Sequence, residues 1–269
     1  MSATSPVESL LRRDRLIVST GLIIIIALSW AWLLSGAGTG MSVSQMTTWS
    51  FPPPMRQSMP MAWELAYWIT MLGMWWVMMI AMMTPSAAPM ILLYARALRH
   101  AQAKGKKATG PVPTAWFLAG YLASWFGFSV AATVVQWGLE QAGLLHGMMM
   151  WSLSRPLSGA LLVAAGIYQL SPFKSVCLEH CRSPAEFLSK HWRDGQSGAF
   201  VMGIAHGNYC IGCCWVLMAL LFVGGTMNLV WIAGLAAIVL AEKILPAGHR
   251  VAPVIGGFLI AAGLWVWIS

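Results

Sequence analysis

Long apolar stretches separated by short polar segments dominate this sequence, and they leave little choice of fold. Several approach 20 residues, the length at which a helix crosses about 30 Å of hydrocarbon. Across the chain 58% of residues are hydrophobic and only 9% are charged, whereas soluble domains carry about 25% charged residues. We therefore predict an all-α fold, a polytopic bundle of membrane helices without a soluble domain.

Seven apolar segments are predicted as transmembrane helices of a single integral membrane domain, residues 1–269. The first is interpreted as an uncleaved anchor, because it exceeds the roughly 7–15 apolar residues of a signal peptide. The second apolar region is longer than one membrane span requires. Thr84, Pro85 and Pro89 predict a break or tilt within this region. The predicted spans are residues 16–35, 65–95, 114–137, 157–173, 199–223, 227–241 and 251–268.

The placement of Lys and Arg predicts how the bundle is inserted. With a cytoplasmic N-terminus, only Arg56 and Arg155 of the 16 Lys and Arg residues fall on the external side, as the positive-inside rule requires. We therefore predict a multi-pass protein of the inner (plasma) membrane with an external C-terminus. The net charge of +8 does not indicate a nucleic-acid partner, because the basic residues are dispersed among loops. The predicted partner is the lipid bilayer.

One imidazole and three thiols lie close together on the predicted fifth span. At about 100° per residue, His206, Cys210, Cys213 and Cys214 project from one face of a helix over about three turns. Ionisable groups inside the hydrocarbon core of a membrane are energetically costly, so they are candidates for a functional role. The alternative is that the cysteines pack as small apolar residues. Four such residues on one face favour a metal ion, with zinc, copper or iron as the candidates.

This face cannot surround a metal alone, because its ends are about 12 Å apart along the helix axis. A methionine stripe on the second span is one predicted source of further ligands. It includes Met78 and Met82, and Met82 should lie at about the depth of Cys213. Thioether together with thiolate points to copper(I), while simple core packing of the methionines is the alternative.

A second predicted source of ligands is the polar stretch after the fourth span. It contains Cys177, His180 and Cys181, whose two thiols are one helical turn apart if the stretch is helical. A reduced pair of surface thiols is the alternative. All five cysteines fall within the membrane or on the predicted cytoplasmic side, where thiols usually stay reduced, so no disulfide framework is expected.

Four stretches of the sequence resemble an uncharacterised bacterial family of predicted metal-binding integral membrane proteins. They are residues 81–90 (AMMTPSAAPM), 206–215 (HGNYCIGCCW), 221–228 (LFVGGTMN) and the pair Glu242 and Lys243. The similarity extends over most of the chain from the second span onward. It implies a membrane protein that binds a metal, located in the inner membrane of a bacterium, and it names neither the metal nor the task.

The residues therefore predict metal handling, with copper(I) as the first candidate and zinc or iron as alternatives. The protein would act as a carrier, a loader or a storage site, with a metal-donor or membrane-complex protein as a candidate partner. Two other hypotheses stay open: a membrane oxidoreductase, or a subunit of one, that uses a metal or the Cys210 and Cys213 pair, and a structural membrane subunit. No phosphate loop or nucleophile elbow is present, which favours a protein that is not an enzyme.

Overall fold

Long helices form most of the chain in the computed structural model. The structure describes residues 6–54, 62–103, 112–246 and 248–268, and within these ranges it has helices and no strand beyond an isolated bridge between Leu145 and Ser152. The predicted all-α class is therefore confirmed. The helices are α1 (Pro6–Leu34), α2 (Leu65–Ala103), α3 (Val112–Gln141), α4 (Arg155–Gln169), α5 (Pro172–Arg182), α6 (Pro184–His191), α7 (Gly195–Ala219), α8 (Leu221–Gly224), α9 (Leu229–Ile244) and α10 (Gly248–Ile268).

Several helices have the length and hydropathy needed to cross a membrane. Among the described residues, α4 and α5 meet this requirement only as a pair, bent by 63°, which adds a sixth crossing if the pair is one span. The predicted span 227–241 corresponds to α9, which has 16 residues. The count of seven spans and their orientation stay predictions. The five segments that meet the requirement alone are Leu16–Leu34, Leu65–His100, Pro113–Gln141, Gly195–Gly224 and Arg250–Ile268.

Of the break or tilt predicted in the second apolar region, the break is absent. Helix α2 continues for 39 residues through both Pro85 and Pro89. A proline removes one backbone donor, but neighbouring side chains can compensate inside an apolar bundle. The hydroxyls of Ser86 and Tyr121 both donate to the carbonyl of Met83, at 2.8 and 3.1 Å, which ties α3 to α2 beside the prolines. The carbonyl that Pro85 leaves without its helical donor is that of Ala81.

The connections 35–54, 142–154 and 225–228 meet at one end of the bundle, which we call the loop end. The backbone N–H of Leu229 donates to the carbonyl of Met46 at 2.8 Å, which joins two of these connections. Burial lowers the pKa of His146, so its neutral ring accepts hydrogen bonds from the backbone N–H groups of Met148 and Met149. Helices α5 and α6 lie at the opposite end of the bundle.

Helices α3 and α7 approach each other closely because glycines lie where they cross. A Cβ on Gly120 would collide with the carbonyl of Phe200, and one on Gly203 would collide with the carbonyl of Phe117. Small residues of this kind allow backbones to pack directly in membrane bundles. The hydroxyl of Ser124 adds a hydrogen bond from α3 to the carbonyl of Ile204 at 3.1 Å. This contact fixes the helix that carries His206 and three of the cysteines.

We expect Gly203→Ala to destabilise the protein by about 1–3 kcal/mol, because the new methyl group must push α7 away from α3. Thermal unfolding of the detergent-solubilised protein measures the effect. Gly127→Ala is the matched control, since nothing lies within 4 Å of a Cβ at that position of α3. Equal melting temperatures for the two variants would contradict the close helix contact.

Candidate metal site

Helix α7 places its four predicted ligand residues inside the protein. His206 is 3% exposed, and Cys210, Cys213 and Cys214 are each 1% exposed. The thiols of Cys213 and Cys214 both donate to the carbonyl of Cys210, at 3.1 and 3.0 Å. The three cysteines therefore form one compact group on the buried side of the helix.

Two other helices bring sulfur atoms to this group. Cys181 of α5 lies with its Sγ 4.0 Å from Sγ of Cys213, and Met83 of α2 lies with its Sδ 3.9 Å from Sγ of Cys214. We call Cys181, Met83 and the three cysteines of α7 the sulfur cluster. All of its cysteines are free thiols. We predicted that α5 supplies Cys181 and that α2 supplies a methionine near the α7 cysteines. The structure places Cys181 and Met83 beside that group.

A lysine that the sequence did not single out as a ligand neighbour touches the cluster. The ammonium of Lys243, near the end of α9, lies 2.7 Å from Sγ of Cys210 and 3.2 Å from the hydroxyl of Ser86. The hydroxyl of Tyr121 lies 3.2 Å from the same cysteine sulfur. In the described part of the chain no carboxylate forms an ion pair with Lys243, so sulfur is its principal electrostatic partner.

The neighbouring residue Glu242 has a different partner. Its carboxylate forms a buried ion pair with Lys174 of α5 at 2.6 Å and accepts a hydrogen bond from the side-chain amide of Gln169 at 2.7 Å. Lys174 also donates to the amide oxygen of Gln169. The guanidinium of Arg182 donates to the carbonyls of Glu242 and Leu245, each at 2.8 Å. These contacts tie the end of α9 to α5 and so hold Lys243 in place.

The remaining predicted ligands lie near the cluster without joining its sulfur contacts. His206 packs among aromatic rings, with its ring centroid 5.8 Å from that of Tyr121, and its Nδ1 has no hydrogen-bond partner among the described residues. His180 stacks on Tyr209 at 4.4 Å. The sulfur of Cys177 faces Gly212, where a Cβ would approach it to 2.9 Å.

The methionine contact differs from the predicted one by a single residue. Met78 and Met82 are both buried in α2, but the thioether beside the cluster belongs to Met83. Adjacent residues on a helix differ in direction by about 100°. The depth predicted for Met82 along α2 is therefore close to that of the observed contact. Depth alone does not determine the direction in which a side chain points around the helix.

The donor chemistry of the cluster fits a soft metal ion. No set of three or more His, Cys, Asp or Glu side chains in the described ranges has the arrangement of a metal site. However, two sulfurs bound to one metal at about 2.3 Å each are separated by at most about 4.6 Å. The pairs Cys181 with Cys213, at 4.0 Å, and Cys214 with Met83, at 3.9 Å, both meet that limit. Thiol and thioether donors suit soft or borderline metals, among them copper(I) and zinc.

Replacing Lys174 with Met should destabilise the protein by about 3–5 kcal/mol, because it leaves Glu242 as a buried charge without its cation. Thermal unfolding measures this loss. The double variant Lys174→Met and Glu242→Gln should recover part of it. Lys190→Met is the control, because the Lys190 and Glu186 pair is exposed, and it should leave the melting temperature unchanged. A similarly small effect for both lysines would show that the buried pair does not hold α9.

Comparison with known families gives one match over most of the chain. Residues 72–266 match a family model with the description PpoB2, Copper chaperone. No curated protein and no solved structure matches the chain. The matched range contains α2 from residue 72 onward and all of the sulfur cluster.

Proposed function

Because this chain belongs to the PpoB2 family of copper chaperones, we propose that it binds copper(I) as cargo inside a membrane helix bundle and delivers it to a partner protein. Copper handling is the property of the family. The convergence of sulfur atoms from α2, α5 and α7 is the observation that carries the proposal for this chain. Such donors suit copper(I), whereas carboxylate and water ligands suit harder ions.

Copper would be held by cysteine thiolates, with the thioether of Met83 as an additional ligand. The pairs Cys181 with Cys213 and Cys214 with Met83 have the separation that a shared ion requires. Cys210 lies between them on the same face of α7, and its carbonyl accepts from both neighbouring thiols.

The ammonium of Lys243 can balance thiolate charge at this site. Two thiolates with copper(I) carry one net negative charge, which the lysine beside Cys210 balances. Uncompensated charge is costly inside an apolar bundle. A copper(I) ion on two thiolates would therefore be neutral overall beside Lys243.

Cys181 is the natural point of access to the sulfur cluster. It is partly exposed at the α5 end of the bundle, while the cysteines of α7 are buried. A donor protein on the predicted cytoplasmic side would load copper at Cys181, from which it passes to Cys213 at 4.0 Å. We propose that the bundle lies in the inner membrane of a bacterium, because its apolar helices have the length and hydropathy of membrane spans.

Changing Cys210, Cys213 and Cys214 together to Ser should weaken copper(I) binding at the cluster by about a hundredfold or more, since oxygen replaces sulfur in a soft site. Titration of the purified protein with copper(I) against a chromophoric chelator measures the change. Metal analysis by mass spectrometry of the protein as isolated identifies the bound ion.

Cys177→Ser is the matched control for this experiment. It replaces a buried thiol of α5 whose sulfur faces Gly212 rather than the cluster, and it should leave copper binding within about twofold. Isolation of the wild-type protein with zinc or iron, or equal copper binding by the triple variant and the parent, would contradict the proposed function.

A further inference from the structure

Methionines line a cavity at the loop end of the bundle, on the side opposite α5 and α6. The cavity has a volume of about 470 Å³, and its walls include Met41, Met71, Met148 and Met150. The geometry points to this cavity as a second copper(I) site, built from thioethers, from which the cargo leaves the protein. This inference rests on the proposed function because it assigns the same cargo to both ends of the bundle.

Two of the thioethers are held close together by one amide group. The Nε2 of Gln136 lies 3.4 Å from Sδ of Met71 and 3.2 Å from Sδ of Met150, so the two sulfurs are no farther apart than the sum of these distances. The same nitrogen lies 2.8 Å from a carboxylate oxygen of Glu140. An amide has two N–H donors and cannot satisfy three acceptors at once. One of the three acceptors is therefore without a hydrogen bond from this amide at any time, and copper(I) would bind the two thioethers in place of the amide.

A buried carboxylate beside these sulfurs supplies negative charge. Glu140 is 7% exposed, and its two oxygens accept hydrogen bonds from the amide of Gln136 and the indole N–H of Trp63, both at 2.8 Å. Hydrogen bonds accepted at both oxygens favour the ionised form of a carboxyl group. Within the described residues no Lys or Arg forms an ion pair with Glu140. Thioethers are neutral, so copper(I) at this place would balance the carboxylate.

The backbone around Met150 is constrained in a way that a packing residue does not require. Met150 has a φ of 55°, a conformation that side chains other than Gly seldom adopt. Its N–H donates to the carbonyl of His146 at 2.7 Å, and the hydroxyl of Thr226 donates to its sulfur at 2.9 Å. Unusual backbone conformations persist where surrounding contacts determine them, and they cluster at functional sites.

Buried methionines of α2 connect this cavity with the sulfur cluster. Met71 and Met83 are about 18 Å apart along the helix at 1.5 Å per residue. Between them Met74, Met78 and Met82 recur at intervals of about one turn, and all are buried. Neighbours at this spacing have Cβ atoms about 5–6 Å apart. The thioethers thus form a stripe of soft donors that leads from the cavity along α2 towards the depth of the sulfur cluster, while Met148, which is 49% exposed, lies at the surface beside the cavity.

The test uses the full-length Cys210, Cys213 and Cys214 triple Ser variant, in which the thiol site is disabled. Titrated with copper(I) against a chromophoric chelator, this variant should retain one weaker copper(I) equivalent. Adding Met71→Leu and Met150→Leu should weaken that binding by about tenfold or more, because the added leucines keep the volume and remove the sulfur. Met90→Leu, another buried methionine of α2, is the matched control and should change it by less than about twofold.

Absence of copper(I) binding in the triple variant, or binding that the two leucines leave unchanged, would overturn the second site. If the combined variant does not fold, Met71→Leu and Met150→Leu are each added alone to the triple variant, with the same criterion. Failure of the proposed function gives a different result: wild-type protein and triple variant would then bind copper equally, whatever the methionine substitutions do.

Discussion

The contact between the ammonium of Lys243 and the sulfur of Cys210 is the interaction on which the rest of the site depends. A lysine inside an apolar bundle needs an anionic partner. The adjacent carboxylate of Glu242 does not supply it, because that group is paired with Lys174. Glu242 and Lys243 are neighbours on α9, but the carboxylate of Glu242 faces α5 and the ammonium of Lys243 faces α7. The positive charge of Lys243 therefore lies beside a cluster of thiols. That arrangement suits thiolates.

Close helix packing makes this contact possible. Glycines at the crossing of α3 and α7 bring the two backbones together, which places Tyr121 beside Cys210. The bend between α4 and α5 then brings Cys181 towards α7. Because the ligands come from separate helices, movement of α5 relative to α7 would open or close the pair Cys181 and Cys213. A chaperone that must release its cargo benefits from ligands that are not all on one rigid element.

Periodicity and hydropathy were sufficient to predict the helical class and the buried face of α7. The contacts between helices were not predictable in the same way, because they depend on packing between residues far apart in sequence. Lys243 is an example: its position at the end of an apolar segment was a signal, but its contact with Cys210 requires the arrangement of α7 and α9. The choice of Met83 over Met82 shows the same limit, since depth in the membrane does not determine direction around a helix. The uninterrupted course of α2 through Pro85 was likewise not predictable from local sequence.

The proposed membrane setting gives these local features a common purpose. Under the proposed function, the sulfur donors and the balancing cation would hold a soft monovalent ion away from water. X-ray absorption at the copper edge, on wild-type protein loaded with less than one equivalent of copper(I), tests this account most directly. The account predicts a coordination shell of sulfur atoms alone. A shell dominated by nitrogen or oxygen would contradict it.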